Sequence, residues 1–312
     1  MSSPHLSEPH PLLAKAEWLK SSTTQRILKT IAKEGGAARI VGGAVRNTLL
    51  GKKVTDIDIA TSVRPEDVIS RAEREGLQVI PTGLDHGTVT IIADHKPFEV
   101  TTLRKDIETH GRHATVFFTD DWVADAQRRD FTINALYCDP DGTLYDYVGG
   151  LKDLEAHQVR FIGRPEDRIT EDYLRILRFY RFTSEYGEGT IDREGHLACC
   201  MLQIGLDKIS SERIRVELLK LIIAPWALIA ISEMNEAGIL TRILGGSPNT
   251  VTLARLIGIE STNEIPPDSI RRLYTLAQTE VQAAARLRDR LRLSKKEYER
   301  LADLIVSDRA FD

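Results

Sequence analysis

The stretch from Ile40 to Ala60 constrains the fold of this chain more than any other. Apolar residues lead into Gly42-Gly43, and a short helical pattern follows the two glycines. Polar and apolar residues then alternate over residues 56–59. Because side chains alternate between the two faces of a strand, this pattern predicts a strand with its acids on one face and its isoleucines in the core.

The two acids of that strand are Asp56 and Asp58. Neighbouring carboxylates repel each other unless a cation compensates them, and Mg²⁺ is typically held by one or two carboxylates with phosphate oxygens and water. Gly42 and Gly43 let backbone N–H groups approach a phosphate, and Arg46 can add a charge-assisted hydrogen bond. An exposed strand face and an ordinary turn would explain each element singly, but the combination predicts a metal–triphosphate site.

The motifs G-G-A-V-R and D-I-D-I-A are followed by R-R-D-F-T-I-N-A-L from Arg128 and E-D-Y-L-R-I-L-R-F-Y-R-F from Glu171. In this order they resemble the family of tRNA CCA-adding enzymes (class II tRNA nucleotidyltransferases) and bacterial poly(A) polymerases, clearly from Arg39 to Phe182 and vaguely beyond about Leu240. The resemblance implies an α+β fold: a polymerase-beta-like nucleotidyltransferase head with a small mixed or antiparallel sheet, followed by an all-α half. Where the family usually has aspartate, this chain has Asn47, so we assign that position no charged role.

The same resemblance implies an enzyme that adds C, C and A to the 3′ end of tRNA from CTP and ATP, with Mg²⁺ as cofactor. Asp56 and Asp58 would be its metal ligands and catalytic acids. A hairpin is predicted from strands at residues 88–93 and 97–103, and its second strand carries Glu99. Glu99 would be a third catalytic carboxylate if its strand lies beside that of Asp58; an ordinary exposed glutamate is the alternative.

Nucleotide contacts are also implied by the resemblance. The triphosphate would lie against Gly42, Gly43 and Arg46. The ribose would bind Asp130, and the phosphates would bind Arg128 or Arg129; Asn134 belongs to the same motif and is included in the nucleotide site. The polar segment from Arg104 to Ala114 is predicted to be a mobile loop, to which the resemblance gives a role in switching between nucleotides.

The fourth motif is predicted to lie on a helix with Thr170 as its N-cap. Asp172 and Arg175 are three residues apart and would project from one helical face. A carboxylate beside a guanidinium can present the hydrogen-bonding edge of a base, and the resemblance implies that this pair selects the nucleobase. The alternative is an intrahelical ion pair worth a few tenths of a kcal/mol. Arg178 and Arg181 continue the stripe and would support the pair or reach RNA phosphate.

The whole chain has 312 residues and a formal net charge of −4. This charge argues against indiscriminate coating of nucleic acid but allows a local basic patch. Arginines cluster between residues 160 and 181, and basic residues outnumber acids between residues 286 and 300, where a solvated helix face is an equal alternative. The start lacks a signal-peptide pattern, no apolar run reaches bilayer length, and the three cysteines suggest neither disulfides nor zinc. We therefore expect a cytoplasmic protein with no membrane contact.

The predicted domains are an N-terminal tail with the start of the first helix at residues 1–24, a catalytic head at 25–150, a helical neck at 151–195 and a helical RNA-binding body at 196–312. One long helix is predicted from Ala14 to Glu34, with disorder before it. Within the family, a CC-adding enzyme and a poly(A) polymerase are alternatives. From other classes, a non-catalytic RNA-binding protein and a small-molecule nucleotidyltransferase remain, although the first has no need for paired acids and the second no need for a long helical half.

Overall fold

The computed structural model describes residues 8–110, 113–277 and 281–309. The chain divides into two compact units, the first formed by residues up to 156 with 160–163 and the second by residues 157–159 and those from 164 onward. The first unit contains sheet and helices, and the described part of the second contains only helices and turns. The predicted fold class, a nucleotidyltransferase head followed by an all-α half, is confirmed. The finer division of the helical half into neck and body stays a prediction.

The first unit opens with short helices rather than one long helix. The helices of this unit are α1 (Pro11–Lys15), α2 (Glu17–Lys20), α3 (Ser22–Ile31), α4 (Gly43–Leu49), α5 (Pro65–Arg74), α6 (Trp122–Gln127) and α7 (Gly150–Glu155). The prediction of a continuous helix from Ala14 to Glu34 is therefore wrong. The backbone is extended at Ala16 and Ser21, and the Ser21 hydroxyl accepts a hydrogen bond from Thr24 N, capping α3. The predicted tail lies largely outside the described residues.

The sheet of the first unit brings distant parts of the sequence side by side. Its strands are β1 (Ala38–Val41), β2 (Asp58–Thr61), β3 (Gln78–Gly83), β4 (Thr88–Ala93), β5 (Lys96–Thr102), β8 (Leu136–Cys138) and β9 (Leu144–Asp146), while β6 (Arg104–His110) and β7 (His113–Phe118) pair separately. Within the described ranges the order is β3-β4-β5-β2-β1-β8-β9. β2 and β5 run parallel, and the other neighbours are antiparallel. The predicted mixed sheet is confirmed.

The hairpin of β4 and β5 forms as the sequence predicts. Asp94 and His95 both have positive φ, which is the conformation of a two-residue hairpin turn that follows the right-handed twist of its strands. Phe98 and Val100 are buried, whereas Glu99 between them is exposed. The hairpin therefore presents Glu99 on the face of the sheet opposite its apolar side chains.

The segment predicted as a mobile loop, Arg104 to Ala114, is instead part of the β6–β7 hairpin, except for residues 111–112, which lie outside the described residues. Arg104 joins this hairpin to the rest of the unit: its guanidinium donates to the backbone oxygen of His86, and its N–H donates to Asp125 Oδ1 at 3.4 Å. On the other strand, Phe118 packs directly over Gly87. The polar composition of this segment suggested a loop, but strand pairing satisfies its backbone.

The second unit is built around a buried helix. Its helices are α8 (Pro165–Glu171), α9 (Leu174–Tyr186), α10 (Arg193–Leu202), α11 (Ser211–Ile223), α12 (Ala227–Glu236), α13 (Ile239–Leu244), α14 (Thr250–Thr262), α15 (Ser269–Ala277), α16 (Val281–Leu291) and α17 (Lys295–Arg309). α9 packs against α11 and α12, and its apolar residues Ile176, Leu177, Phe179 and Tyr180 are inaccessible to solvent. Burial of this helix supplies much of the hydrophobic driving force of the unit.

Capping hydrogen bonds define where α17 begins. Ser294 N donates to Glu297 Oε2 at 2.6 Å and Glu297 N donates to the Ser294 hydroxyl at 3.3 Å, so the two residues form a capping box. Thr170 is not an N-cap, because it lies inside α8 and its hydroxyl donates to the backbone oxygens of Glu166 and Asp167.

No helix among the described residues combines the length and the apolar character needed to cross a membrane.

Candidate active site

The turn between β1 and α4 needs glycine at its first position. Gly42 has φ of +71° and ψ of −118°, a conformation that side chains rarely adopt, and its N–H donates to Leu136 O in the neighbouring strand at 3.0 Å. A Cβ at this position would lie 3.5 Å from Asn134 O. Gly42 and Gly43 therefore form a tight turn at the end of β1, beside the turn that carries Asn134.

Arg46 projects from α4 and is almost completely buried. Its Nη1 donates to Asn134 Oδ1, and its Nε and Nη2 donate to Asn47 Oδ1 at 3.2 and 3.0 Å. These two amide oxygens orient the guanidinium without cancelling its charge. Asn47, which replaces the aspartate usual in the family, is thus a neutral partner for this cation. The sequence did not identify this partnership, because adjacent residues of a helix do not normally face each other.

The strands β2 and β5 bring Asp58 and Glu99 together, which meets the condition set from the sequence for a role of Glu99. Asp58 begins β2, and its Cα partner in the parallel register is Glu99. Asp56 lies two residues before the strand and is exposed, and its carboxylate accepts a hydrogen bond from the Thr55 hydroxyl at 2.9 Å. The strand therefore begins two residues later than the sequence predicted, at Asp58 rather than Asp56. Asp56 lies in the loop that precedes the strand.

The electrostatics of Asp58 show that these charges act on one another. Burial and the negative charges of Glu99 and Asp56 raise the pKa of Asp58, Arg129 and Arg46 lower it, and the balance is a pKa of about 6. A carboxyl group with such a pKa is held at an energetic cost when it is ionised at neutral pH. A cation placed between the carboxylates would remove that cost.

The fit of a divalent cation follows from this donor set. Asp56, Asp58 and Glu99 are oxygen ligands of the kind that Mg²⁺ prefers, and their mutual repulsion favours its binding. In the described ranges, however, no three His, Cys, Asp or Glu side chains lie close enough together to form a ready-made metal cage. The chemistry of the residues therefore fits a metal that shares its ligands with a substrate, as Mg²⁺ commonly does with phosphate oxygens.

The segment before the third motif contains a buried acid whose role the sequence did not reveal. Asp125, on α6, is 1% exposed and accepts hydrogen bonds from Arg128 Nε at 2.8 Å, from Arg129 Nε and Nη2 at 3.2 and 3.1 Å, and from the Tyr137 hydroxyl at 2.8 Å. Burial alone would raise the pKa of Asp125, but Arg129 and Arg128 outweigh it and lower the pKa to about 2. Alternating charge of this kind is usual on a solvated helix face, but here the acid is buried and binds both arginines.

The third motif links Asp130 to Arg46 through a chain of hydrogen bonds. Asp130 Oδ1 accepts from Asn134 Nδ2 at 3.1 Å and from Phe131 N at 2.8 Å. The same Asn134 side chain accepts from Arg46 through its oxygen, so its two ends are used in opposite senses. A 3₁₀ turn over Thr132–Asn134 places these groups. The structure thus brings together, in one unit, Gly42, Arg46, Asp58, Glu99, Arg129, Asp130 and Asn134.

The candidate residues of the helical unit form a different arrangement from the one predicted. α8 ends at Glu171, Asp172 has an extended backbone, and α9 begins at Leu174. The prediction that Asp172 and Arg175 share one face of a continuous helix is therefore wrong. Asp172 Oδ1 instead accepts from Leu174 N at 3.1 Å, so the acid caps the start of α9.

The arginine that engages Asp172 is Arg213 of α11, which donates from Nη2 at 2.6 Å and from Nη1 at 3.2 Å. Arg175 donates to Glu171 and to Arg168 O at 2.8 Å. Arg213 was missed because it lies 41 residues from Asp172 in the sequence. The carboxylate–guanidinium pair that the motif suggested therefore exists, but with a partner from another helix.

The last two arginines of the stripe turn toward the protein. Arg181 is buried and pairs with Glu217 and, at 3.1 Å, with Glu185. Arg178 lies 3.8 Å from Glu217 and over the ring of Phe182. The sequence suggested that these arginines support the base-selecting pair or reach RNA phosphate; their contacts with Glu217, Glu185 and Phe182 instead favour a role in holding the helices of this unit together.

Comparison with known proteins agrees with the arrangement of both units. Residues 38–160 match the family described as the poly A polymerase head domain, and residues 190–250 match the family described as the probable RNA and SrmB-binding site of polymerase A. The mitochondrial CCA tRNA nucleotidyltransferase 1 of Mus musculus is 39% identical over 297 residues, which are 94% of this chain and 66% of that protein. The corresponding protein of Danio rerio is 45% identical over 64% of this chain and 47% of that protein.

Among solved structures, the Bacillus stearothermophilus CCA-adding enzyme in complex with CTP superimposes with a TM-score of 0.76 and 29% identity, covering 91% of this chain and 69% of that one. The chain spans about half to two thirds of the length of the two curated relatives above. The similarity extends through both units, and it includes the strands that carry Asp58 and Glu99.

The buried acid of α6 yields a first prediction. Asp125→Asn leaves Arg128 and Arg129 without their carboxylate, so we expect the protein to lose about 3 kcal/mol of stability at pH 7. Because the folded pKa of about 2 lies below the unfolded value, this contribution is present above about pH 4 and is lost as the pH falls toward 2. Urea unfolding of both proteins measures it. Asp120→Asn, the same change at an exposed position, should stay within about 0.5 kcal/mol; an equally mild effect at position 125 would contradict the assigned role.

The raised pKa of Asp58 yields a second prediction of opposite sign. Its folded pKa of about 6 lies above the unfolded value, so ionisation costs stability as the pH rises through about 4 to 6. Asp58→Asn should therefore stabilise the metal-free protein at pH 7.5 by about 2–3 kcal/mol, and the difference should vanish near pH 4. Adding Mg²⁺ at pH 7.5 should stabilise the wild type more than the variant. Thermal unfolding with Asp120→Asn as control tests both statements, and a pH-independent difference would refute the first.

Proposed function

Since the chain belongs to the family of poly(A) polymerases and CCA tRNA nucleotidyltransferases, we propose that it adds C, C and A to the 3′ end of tRNA from CTP and ATP, releasing pyrophosphate. The observation that carries this proposal is the parallel register of Asp58 with Glu99, which holds two acids together beneath the Gly42 turn. Its relatives of this name, and the structure with bound CTP, support the choice of reaction and substrates.

The carboxylates of Asp56, Asp58 and Glu99 are the groups that would hold Mg²⁺. When bound, Mg²⁺ lowers the pKa of the RNA 3′-hydroxyl and stabilises the pyrophosphate leaving group. The ionised form of Asp58 is disfavoured by burial and by the charges of Glu99 and Asp56, so a bound cation would relieve this cost. The proposal of Mg²⁺ rather than another divalent ion follows from the all-oxygen donor set.

The triphosphate of the incoming nucleotide would be bound by positive charge that is already oriented. Arg46 is oriented by two amide oxygens, which are neutral acceptors, and its guanidinium can bind an anion. Arg129 and Arg128 are fixed by Asp125, and the positive charge of Arg129 reaches the acid site, where it lowers the pKa of Asp58. Holding these cations before the substrate arrives reduces the reorganisation needed for catalysis. Gly42 and Gly43 would allow the phosphates close to the backbone.

Asp130 would orient the ribose of that nucleotide. One of its carboxylate oxygens is committed to Phe131 N and Asn134 Nδ2. These hydrogen bonds fix the plane of the carboxylate, and a carboxylate is the kind of acceptor that sugar hydroxyls can donate to. Asn134, whose amide joins Asp130 to Arg46, would transmit the position of one to the other.

For the selection of the base we propose the pair Asp172–Arg213, with Arg175 beside it, in place of Asp172–Arg175 alone. The bidentate contact of Asp172 with Arg213 fixes a planar array of donors and acceptors. Arg175 is held by Glu171 and Arg168 O, so its own donors are also oriented. Such an array can present the hydrogen-bonding pattern that a cytosine or adenine edge requires, without a nucleic-acid template.

The cytoplasmic location expected from the sequence stays a proposal. Two of the relatives, from Danio rerio and Mus musculus, are named as mitochondrial proteins. The compartment does not affect the reaction proposed for the site.

Incubation of the full chain with tRNA lacking its 3′ end, Mg²⁺ and labelled CTP or ATP tests the reaction. We expect incorporation of C first and of A only after two C residues, because each base must be chosen in order. Asp58→Asn should reduce incorporation by at least about a hundredfold while tRNA binding stays within about twofold of the wild type.

Other outcomes of this experiment identify the alternatives. Incorporation of C alone would indicate a CC-adding enzyme, and A-only extension of any RNA would indicate a poly(A) polymerase. Binding of tRNA with no incorporation would indicate a non-catalytic RNA-binding protein. Transfer to a small molecule but not to RNA would indicate a small-molecule nucleotidyltransferase.

A change at Arg213 tests the proposal for base selection. Arg213→Gln removes the bidentate contact and should reduce the preference for CTP on the first addition by about tenfold, since one good bidentate contact is worth about 1–3 kcal/mol of discrimination. The ratio of kcat/KM for CTP and ATP on the same tRNA measures this preference. Arg215→Gln, on the same helix, should leave the ratio unchanged. An equal loss for both nucleotides at position 213 would assign Arg213 a structural role only.

A further inference from the structure

The helical unit contains a cavity that the proposed reaction does not use. It has a volume of about 250 Å³, is partly open to solvent and lies beside the 3₁₀ turn Gln203–Lys208 and the first turns of α11. Buried Leu206 and Ile243 line it together with half-buried Ile209 and Ile214. The cavity therefore has an apolar wall that can receive a ring or a sugar.

The polar lining of the cavity includes a donor that the protein does not satisfy. Arg242 Nη1 donates to Asp207 Oδ2 at 2.7 Å, but its Nε is buried and makes no hydrogen bond within the described ranges. A buried donor left in this state costs about 1–3 kcal/mol. An acceptor that entered the cavity and reached Nε would remove this cost.

The charge of the lining favours an anion. Arg290 reaches the same wall and is held there by hydrogen bonds to Ile243 O at 2.8 Å and to Arg242 O. Asp207 is the acid of the lining, so two guanidinium groups face one carboxylate. Ser211, the first residue of the thirteen-residue helix α11, also lines the cavity, and the side chain of the preceding Ser210 makes no capping hydrogen bond. The first N–H groups of such a helix favour a negative group.

We propose that this cavity binds one nucleotide of an RNA strand, with its phosphate on Arg242 and the start of α11 and its sugar and base against the apolar wall. The cavity is too small for a duplex and combines an anion site with an apolar surface, as a single nucleotide requires. Most of its lining, from Leu206 to Ile243, lies in the segment that matches the RNA-binding family. The inference rests on the proposed RNA substrate but not on the transfer reaction.

Equilibrium binding of labelled tRNA lacking its 3′ end, to the full chain without CTP or ATP, tests this proposal. Arg242→Gln removes the positive charge and the Nε donor, so we expect the Kd for tRNA to rise about threefold to tenfold. The slope of the logarithm of the binding constant against the logarithm of the salt concentration should become shallower by about 1, the value of one phosphate contact. Asp207→Asn leaves Arg242 charged and free of its acid, and should leave the affinity unchanged or tighten it.

A matched control is Arg193→Gln, because Arg193 is an exposed arginine of the same unit that pairs with Glu233 at 3.0 Å and does not line the cavity. Its affinity and salt slope should match those of the wild type. Weakening by Asp207→Asn equal to that by Arg242→Gln would reduce the arginine to a structural ion pair and overturn the proposal. An unchanged salt slope in Arg242→Gln would also overturn it.

Titration of AMP and CMP by calorimetry separates RNA from free nucleotides. Loss of mononucleotide binding in Arg242→Gln with unaltered tRNA binding would assign the cavity to a free nucleotide and overturn its role in RNA binding. The two proposals fail in different ways: absence of incorporation with an intact Arg242 effect removes the enzyme reaction alone, whereas incorporation with no Arg242 effect removes the cavity proposal alone.

Discussion

Repulsion between the carboxylates of Asp58 and Glu99 is the constraint on which the first unit depends. Parallel pairing of β2 with β5 makes the two residues neighbours, so the sheet cannot relax by moving them apart without losing its register. Burial of Asp58 and the charge of Glu99 together raise the pKa of Asp58 to about 6. A fold with no use for the two acids would be more stable with an amide at either position, and their retention therefore favours a site that binds cations.

The surrounding cations are held by two different devices. Arg46 is oriented by the side-chain amides of Asn47 and Asn134, which are neutral and do not compensate its positive charge. Arg129 is oriented by the buried carboxylate of Asp125, whose negative charge stabilises the guanidinium but also offsets part of its positive charge. Both cations still lower the pKa of Asp58. The balance leaves the acids under-compensated, which is the state in which a metal and a triphosphate can bind together.

Part of the architecture was predictable because it depends on local pattern. The spacing of two short strand patterns, at residues 88–93 and 97–103, was sufficient to predict the β4–β5 hairpin, although its turn is one residue shorter than that spacing indicates. Predictions from the sequence failed where polar residues find their hydrogen-bond partners within the protein rather than in solvent. The segment from Arg104 was expected to be a loop and forms a strand, and no pattern in the sequence indicated that Asp125 is buried.

The sequence by itself determined which residue types were available and the order in which they arrive: a glycine turn, two acids, a third acid on a hairpin and an arginine-rich motif. These depend on propensity and on periods of two or 3.6 residues, which are local properties. Tertiary structure decided which charges meet. Asp172 pairs with Arg213, 41 residues away, rather than with Arg175, and Arg46 donates to Asn134, 88 residues away. Such pairs arise when packing brings distant helices together and burial requires each charge to find a partner, and no local pattern in the chain specifies that choice.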